Sequence, residues 1–138
     1  MKPLTGVLEA ALYVDDLDAA HAFYGGLLNL PLITRVDGRH AFYRAGETVV
    51  LLFLPEATAV PPGEGALPVP THGAHGPGHL CFACPGEDLG TMRHHLESHG
   101  IAIESDFHWP HGPRSLYVRD PAGNSIEFAD PTLWSPTT

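Results

Sequence analysis

Leu8-Glu9-Ala10-Ala11-Leu12-Tyr13-Val14 and, in the second half of the chain, Gly78-His79-Leu80-Cys81-Phe82-Ala83-Cys84 decide the fold, because the sequence repeats itself around them. Each is a strand-like run with apolar residues on both faces, the pattern of a strand buried on each side. Asp15-Asp16-Leu17 follows the first and Gly86-Glu87-Asp88-Leu89 the second, and each opens a helix-like run, to Leu28 and to His99. A short apolar strand is expected after each helix, over 30–33 and 101–103, and then two longer ones. The repeating unit is strand, helix, three strands. First and last strands of the two units are then placed to share a site, and Glu9, His79 and Glu127 fall on those strands. They are the candidates for a mononuclear metal site.

Turn and cap residues support the same division. Asp15 or Asp16 supplies an N-cap, and Leu17, Ala20, Phe23, Tyr24, Leu27 and Leu28 recur at helical spacing until Asn29 and Pro31 stop the helix. Asp37-Gly38 is a hairpin signal between strands expected over 32–36 and 40–44, and Gly46-Glu47 turns into a strand over 48–54. From Pro55 to Gly78 the composition shifts to Pro, Gly and Ala, as in a lid or linker without regular structure. The second helix follows Pro85-Gly86 and ends at Gly100. A loop is expected over 107–113, a strand over 114–119, a tight turn through Asp120-Pro121-Ala122-Gly123-Asn124 and a last strand over 125–129. The tail is expected to pack through Trp134. One domain spanning 1–138 results, with modules at 5–54 and 79–131 joined by the 55–78 connection.

Composition excludes several partners. Seven Lys and Arg against 16 Asp and Glu give a formal charge of −9, the wrong sign for a nucleic-acid surface. No apolar run reaches membrane-spanning length and none resembles a signal peptide, so a cytoplasmic protein without membrane partners is expected. Cys81 and Cys84 form a C-x-x-C, yet on a strand they point to opposite faces. They read as buried thiols in a reducing compartment rather than a chelating pair.

Strand parity sorts the remaining candidates. Glu9, Ala11 and Tyr13 share one face, as do His79, Cys81 and Ala83, while Ile126 and Phe128 point away from Glu127. A carboxylate in such an apolar strand is costly to bury unless paired or bound to a cation. A divalent cation between two carboxylates and an imidazole removes that cost. The competing reading puts Glu9 and Glu127 at solvated strand ends, or pairs them with Arg35, Arg39, Arg114 or Arg119. Tyr43 likewise reads either as a site residue or as amphipathic packing. The histidine pair His95 and His99 reads as helix surface, whereas His72, His75, His108 and His111 lie in loops beside the candidate strands.

Val14-Asp15-Asp16-Leu17-Asp18 with Phe23-Tyr24 and Leu27-Leu28, then Gly78-His79-Leu80-Cys81-Phe82, and above all Tyr117-Val118-Arg119-Asp120-Pro121-Ala122-Gly123-Asn124-Ser125-Ile126-Glu127, resemble the vicinal oxygen chelate superfamily over the whole chain. That superfamily includes glyoxalase I, fosfomycin-resistance thiol transferases, extradiol dioxygenases and bleomycin-resistance proteins. The resemblance implies an α+β fold of two βαβββ modules forming curved mixed sheets around a cleft. It implies metal ligation by His79 and Glu127, with Glu9 where members usually carry a histidine. The fourth family ligand, a glutamate in glyoxalase I, falls at Leu51, or at Leu52 if the alignment slips by one, so it is missing here.

A Glu-His-Glu set suits Mn, Fe, Ni, Co or Zn as the divalent cofactor. Ser115 and Tyr117, which share parity beside Glu127, are expected to bind a substrate oxyanion, with Tyr43 as their counterpart in the first module. The function implied is a metal-dependent enzyme acting on a small, oxygen-rich metabolite or antibiotic that chelates the metal. The scarcity of Lys and Arg disfavours fosfomycin. The alternative is a metal-free protein that sequesters a drug as bleomycin-resistance proteins do. A homodimer is implied in either case; if the modules pair between chains, Glu9 and His79 of one site come from different subunits.

Overall fold

The computed structural model describes residues 2–135, and Met1 and 136–138, the ends of the expected 1–138 domain, lie outside the described residues. The chain divides between Gly76 and Pro77 into two compact units, each built on a four-stranded mixed sheet.

The first unit runs β1 (Glu9–Tyr13), α1 (Leu17–His21), β2 (Leu32–Val36), β3 (His40–Ala45), β4 (Thr48–Phe53) and one helical turn, α2 (Pro55–Thr58). Its sheet order is β1-β4-β3-β2, with β1 and β4 parallel and the other pairs antiparallel. Asp16 caps α1 by accepting the amides of Asp18 and Ala19 at 2.9 and 3.1 Å. The helix then widens to π-type bonding over Ala22–Leu27, the Leu28 amide donating to the Phe23 carbonyl at 2.9 Å. His21 and the Tyr43 hydroxyl are 2.7 Å apart, and the imidazole lies so close over Gly25 that a Cβ there would stand 2.6 Å from the ring. A larger residue there would have to displace the imidazole from Tyr43.

The second unit repeats the plan: β5 (His79–Ala83), a 3-10 turn over Gly86–Asp88, α3 (Leu89–Ser98), β6 (Ser105–His108), β7 (Arg114–Arg119) and β8 (Ser125–Ala129), followed by a 3-10 turn over Pro131–Trp134. Its order, β5-β8-β7-β6, is that of the first sheet shifted by one module. The α+β class and the doubled βαβββ topology are those the sequence indicates.

Three local expectations fail. Residues 101–103 are not a strand; β6 lies further on, where a loop is expected from 107. After Gly100 in the left-handed region (φ 77), the Ile101 amide turns back to the Leu96 carbonyl at 3.0 Å, so it belongs to the helix end. The strand is anchored instead by Asp106, which Arg114 grips through two hydrogen bonds (2.8 and 2.6 Å) and Arg93 from α3 through a third at 2.7 Å. Apolar pattern does not report such an ion pair. Trp134 is 85% exposed and does not tie down the tail, and the 55–78 connection opens with the α2 turn rather than as plain coil.

Fully buried side chains line one face of each sheet: Ala41, Tyr43 and Leu52 with Tyr24 in the first unit, and Leu116, Val118 and Ile126 with Leu89 and Leu96 in the second. The opposite faces are free to carry polar chemistry.

The Arg114 and Arg93 guanidiniums hold Asp106 at about 2, below the ordinary 3.8. A carboxyl depressed on folding stabilises above its unfolded value, and that contribution vanishes as pH falls through the folded one. Acid unfolding of the wild type is therefore expected to steepen between 3.8 and about 2. In Asp106→Asn that segment of the stability curve, followed by circular dichroism, should flatten; an unchanged curve would remove Asp106 from the acid transition.

Candidate functional site

Register assembles the site on the second sheet. Cys81 and Tyr117 both sit opposite Glu127, with His79 opposite Ser125 and Ser115 opposite Ala129. Side chains alternate along each strand, so His79, Cys81, Ser115, Tyr117 and Glu127 share the face away from Leu116, Val118 and Ile126.

Glu127 is only 5% exposed, and hydrogen bonds fix its side chain. The Ser115 hydroxyl donates to Glu127 Oε2 at 2.7 Å, and Trp109 Nε1 donates to Ser115 Oγ at 2.8 Å. His79 Nε2 stands 3.3 Å from Glu127 Oε1. On the other side of the ring, Nδ1 faces the Ser125 carbonyl at 3.1 Å and the Ser125 hydroxyl at 3.2 Å. A carbonyl only accepts, so the proton sits on Nδ1 and the Nε2 lone pair of the neutral ring points at a carboxylate oxygen. Two lone pairs aimed at each other repel. A proton or a metal cation between them resolves the arrangement, and a metal-ligating histidine is commonly held by its other nitrogen in this way.

The neighbours stay protonated. Partial desolvation by the surrounding side chains, although the residue is exposed, and the Glu127 carboxylate push the Cys81 thiol up to about 12, and desolvation and Glu127 likewise raise the Tyr117 phenol. Tyr117 lies between the rings of His79 (centroids 6.2 Å) and Phe107 (5.9 Å, nearly parallel), and Trp109 meets Phe107 edge-on at 4.9 Å. An aromatic row thus leads away from the His79–Glu127 pair.

The same register read on the first sheet puts Glu9 opposite Val49, and Leu51 opposite both Ala11 and Phe42. Glu9 is therefore the counterpart of His79, Phe42 of Tyr117, and Leu51 of Glu127. Leu51 shares the Glu9 face, whereas Leu52 is fully buried on the other. Glu9 itself is exposed.

Two expected roles are corrected. Tyr43 is fully buried on the opposite face, stacked on His21 and bonded to it, so it is no counterpart of Tyr117. Ser115 is also fully buried, and its single proton is committed to Glu127, which leaves none for a substrate oxyanion. It is a positioning residue. Arg35, Arg114 and Arg119 pair with Asp18 and Asp37, with Asp106, and with Glu104, so none of them neutralises Glu127.

The loop histidines are placed individually. His72 bonds the Tyr13 hydroxyl at 2.7 Å, His75 stands 3.8 Å from Glu56, His111 approaches the Leu133 carbonyl at 3.3 Å, and His108 ends β6. Sequence reasoning missed Trp109 and the nearness of Cys81, which is exposed while Cys84 is buried. Trp109 reaches Ser115 because its amide closes the β6–β7 connection on the Pro113 carbonyl at 2.8 Å, a contact without sequence periodicity. Among the described residues no group of three or more His, Cys, Asp and Glu side chains converges to hold a metal ion.

Paired βαβββ modules with a histidine on the first strand of the second module and a buried glutamate on its last define a recognised class of fold. The chain belongs to the Glyoxalase/Bleomycin resistance protein/Dioxygenase superfamily, whose sequence description matches residues 6–128. It is similar to a lactoylglutathione lyase from Agrobacterium tumefaciens, with 38% identity over 98% of this chain and 100% of that one and a TM-score of 0.92. A glyoxalase/dioxygenase from Nostoc punctiforme matches at 25% identity over 94% of both chains, TM-score 0.67. A virulence protein from Salmonella typhimurium, at 23% identity over 92% of this chain and 97% of that one, shares the fold with a TM-score of 0.68. No curated protein matches the sequence. No helix among the described residues is long and apolar enough to cross a membrane.

Proposed function

We propose that this protein is a divalent-metal-dependent enzyme acting on a small substrate that presents adjacent oxygens, with Glu9, His79 and Glu127 as the protein ligands. The observation that carries this reading is the convergence of His79 Nε2 and Glu127 Oε1 at 3.3 Å, with Nδ1 tied to Ser125. The donor set fits such an ion: one imidazole nitrogen and carboxylate oxygens. Mn, Fe, Ni, Co and Zn all accept these donors.

A bound cation supplies Lewis-acid polarisation of the substrate oxygens. The remaining work falls to the chain. Ser115, backed by Trp109, fixes the Glu127 carboxylate, and Ser125 fixes the His79 ring. Tyr117, whose phenol is raised by burial and the Glu127 charge, keeps its proton and is a hydrogen-bond donor to an oxygen of the bound substrate. Phe107 and Tyr117 offer flat apolar surface that excludes water on one side. Resemblance to the Agrobacterium lactoylglutathione lyase makes that activity the first to assay, although Leu51 in place of a ligand leaves three protein donors and more open positions than a four-ligand site.

Elemental analysis of protein purified without a metal-affinity tag tests the reading. Near-stoichiometric metal is expected in the wild type and none in the Glu127→Ala, His79→Ala double variant. A second reading is metal-free sequestration of a small molecule. It gains if the wild type neither contains nor takes up metal.

A further inference from the structure

We propose that the first unit binds a small organic carboxylate in a pocket of about 370 Å3 bordered by the segment after α2, with the Arg39 guanidinium as its anion-binding group. Arg39 Nη1 is buried with no hydrogen-bond partner among the described residues. Arg35, Arg93, Arg114 and Arg119 each grip a carboxylate. Arg39 instead lies against the Phe53 ring, its guanidinium carbon 6.0 Å from the centroid. A buried donor left unpaired is costly, and more so when charged. This chain has 16 acidic residues and places none of them against Arg39. The Arg39 side chain borders the pocket, so the oxygens of a bound anion can approach its guanidinium.

The rest of the wall defines the ligand. Ala57, Val60, Leu67, Val69 and Pro70 are apolar, and the Thr58 hydroxyl is committed to the Pro55 carbonyl. His40, adjacent in sequence, is held neutral by burial and by the Arg39 charge, so it adds no second cation. One guanidinium and a hydrocarbon wall complement one carboxylate on a compact branched or aromatic body, bound through the planar fork. A phosphate dianion would find too few donors. The volume lies at the small end for ligand sites, which limits the body to a few carbons or one ring. No residue of the His79–Glu127 face takes part, so this inference stands or falls apart from the metal reading.

Titration calorimetry of the whole chain with isovalerate and benzoate, against isovaleramide and benzamide, is the test. Carboxylate binding in the millimolar range or tighter is expected, with the amides and Arg39→Met weaker by about ten- to hundredfold, the loss of one charge-assisted pair. Ala66→Trp, which fills the pocket and leaves Arg39 in place, should also abolish binding, and it decides the matter alone if Arg39→Met does not fold. No carboxylate binding by the wild type, equal binding of acid and amide, or wild-type affinity in a folded Arg39→Met or Ala66→Trp would overturn the proposal.

Discussion

Glu127→Gln is expected to abolish stoichiometric metal binding while leaving the second sheet folded. The amide keeps the shape of the side chain and an oxygen to accept from Ser115, but it removes the charge beside His79. Loss of a ligand should exceed the about 10–100-fold that outer-shell partners typically contribute, and Ser115→Ala supplies that smaller figure for comparison. Because Glu127 is only 5% exposed, removing its charge also removes a desolvation cost. Thermal unfolding in the presence of chelator should therefore be no lower for Glu127→Gln than for the wild type. Metal content after dialysis, read beside the melting curve, separates the two effects. Wild-type metal content in the variant would take Glu127 out of the site.

Asp120→Ala is expected to destabilise the second unit by about 3 kcal/mol or more, since three donors lose their acceptor at roughly 1–3 kcal/mol each when buried. Those donors are the amides of Ala122 (3.0 Å) and Asn124 (2.8 Å) and the Asn124 side-chain amide (2.9 Å). Asp120 and Asn124 are both buried, so water cannot replace the bonds. Gly123, at φ 89, makes the turn that lets the chain return. Asn124 then accepts the Gly78 amide at 2.8 Å, immediately before His79. The Asp-Pro-x-Gly-Asn string is thus a brace that sets β8 against β5 and brings Glu127 and His79 into register. Urea unfolding of the whole chain measures the effect. A loss under about 1 kcal/mol would show that water or a shifted turn substitutes for the brace.

Much of this was legible in the residues themselves. The doubled pattern of apolar strands, the Asp16 cap, the Asp37-Gly38 hairpin and the Asp120–Asn124 turn are local signals, each written within a few residues. Strand parity also grouped His79 with Cys81 and Ser115 with Tyr117 and turned Glu127 away from Ile126 and Phe128, because alternation is a property of the backbone; the register then put these groups on one face. Where parity was extended by analogy, from Tyr117 to Tyr43, it failed: the register makes Phe42 the counterpart and sends Tyr43 toward His21. The displaced strand β6 failed for another reason, since an ion pair of Asp106 with Arg114 and Arg93 carries no apolar periodicity.

The sequence by itself determined the repeat, the family resemblance and the strands that carry the site, since these follow from short-range spacing and turn chemistry. Only the tertiary structure decided that Leu51 rather than Leu52 faces the Glu9 side, that Ser115 serves Glu127 rather than a substrate, and that Trp109 stands behind it. It also left Arg39 Nη1 buried without a hydrogen-bond partner among the described residues. Each of these depends on which strands pair and in what register, and on where a loop returns. Residues far apart in the chain meet only once those long-range pairings have formed.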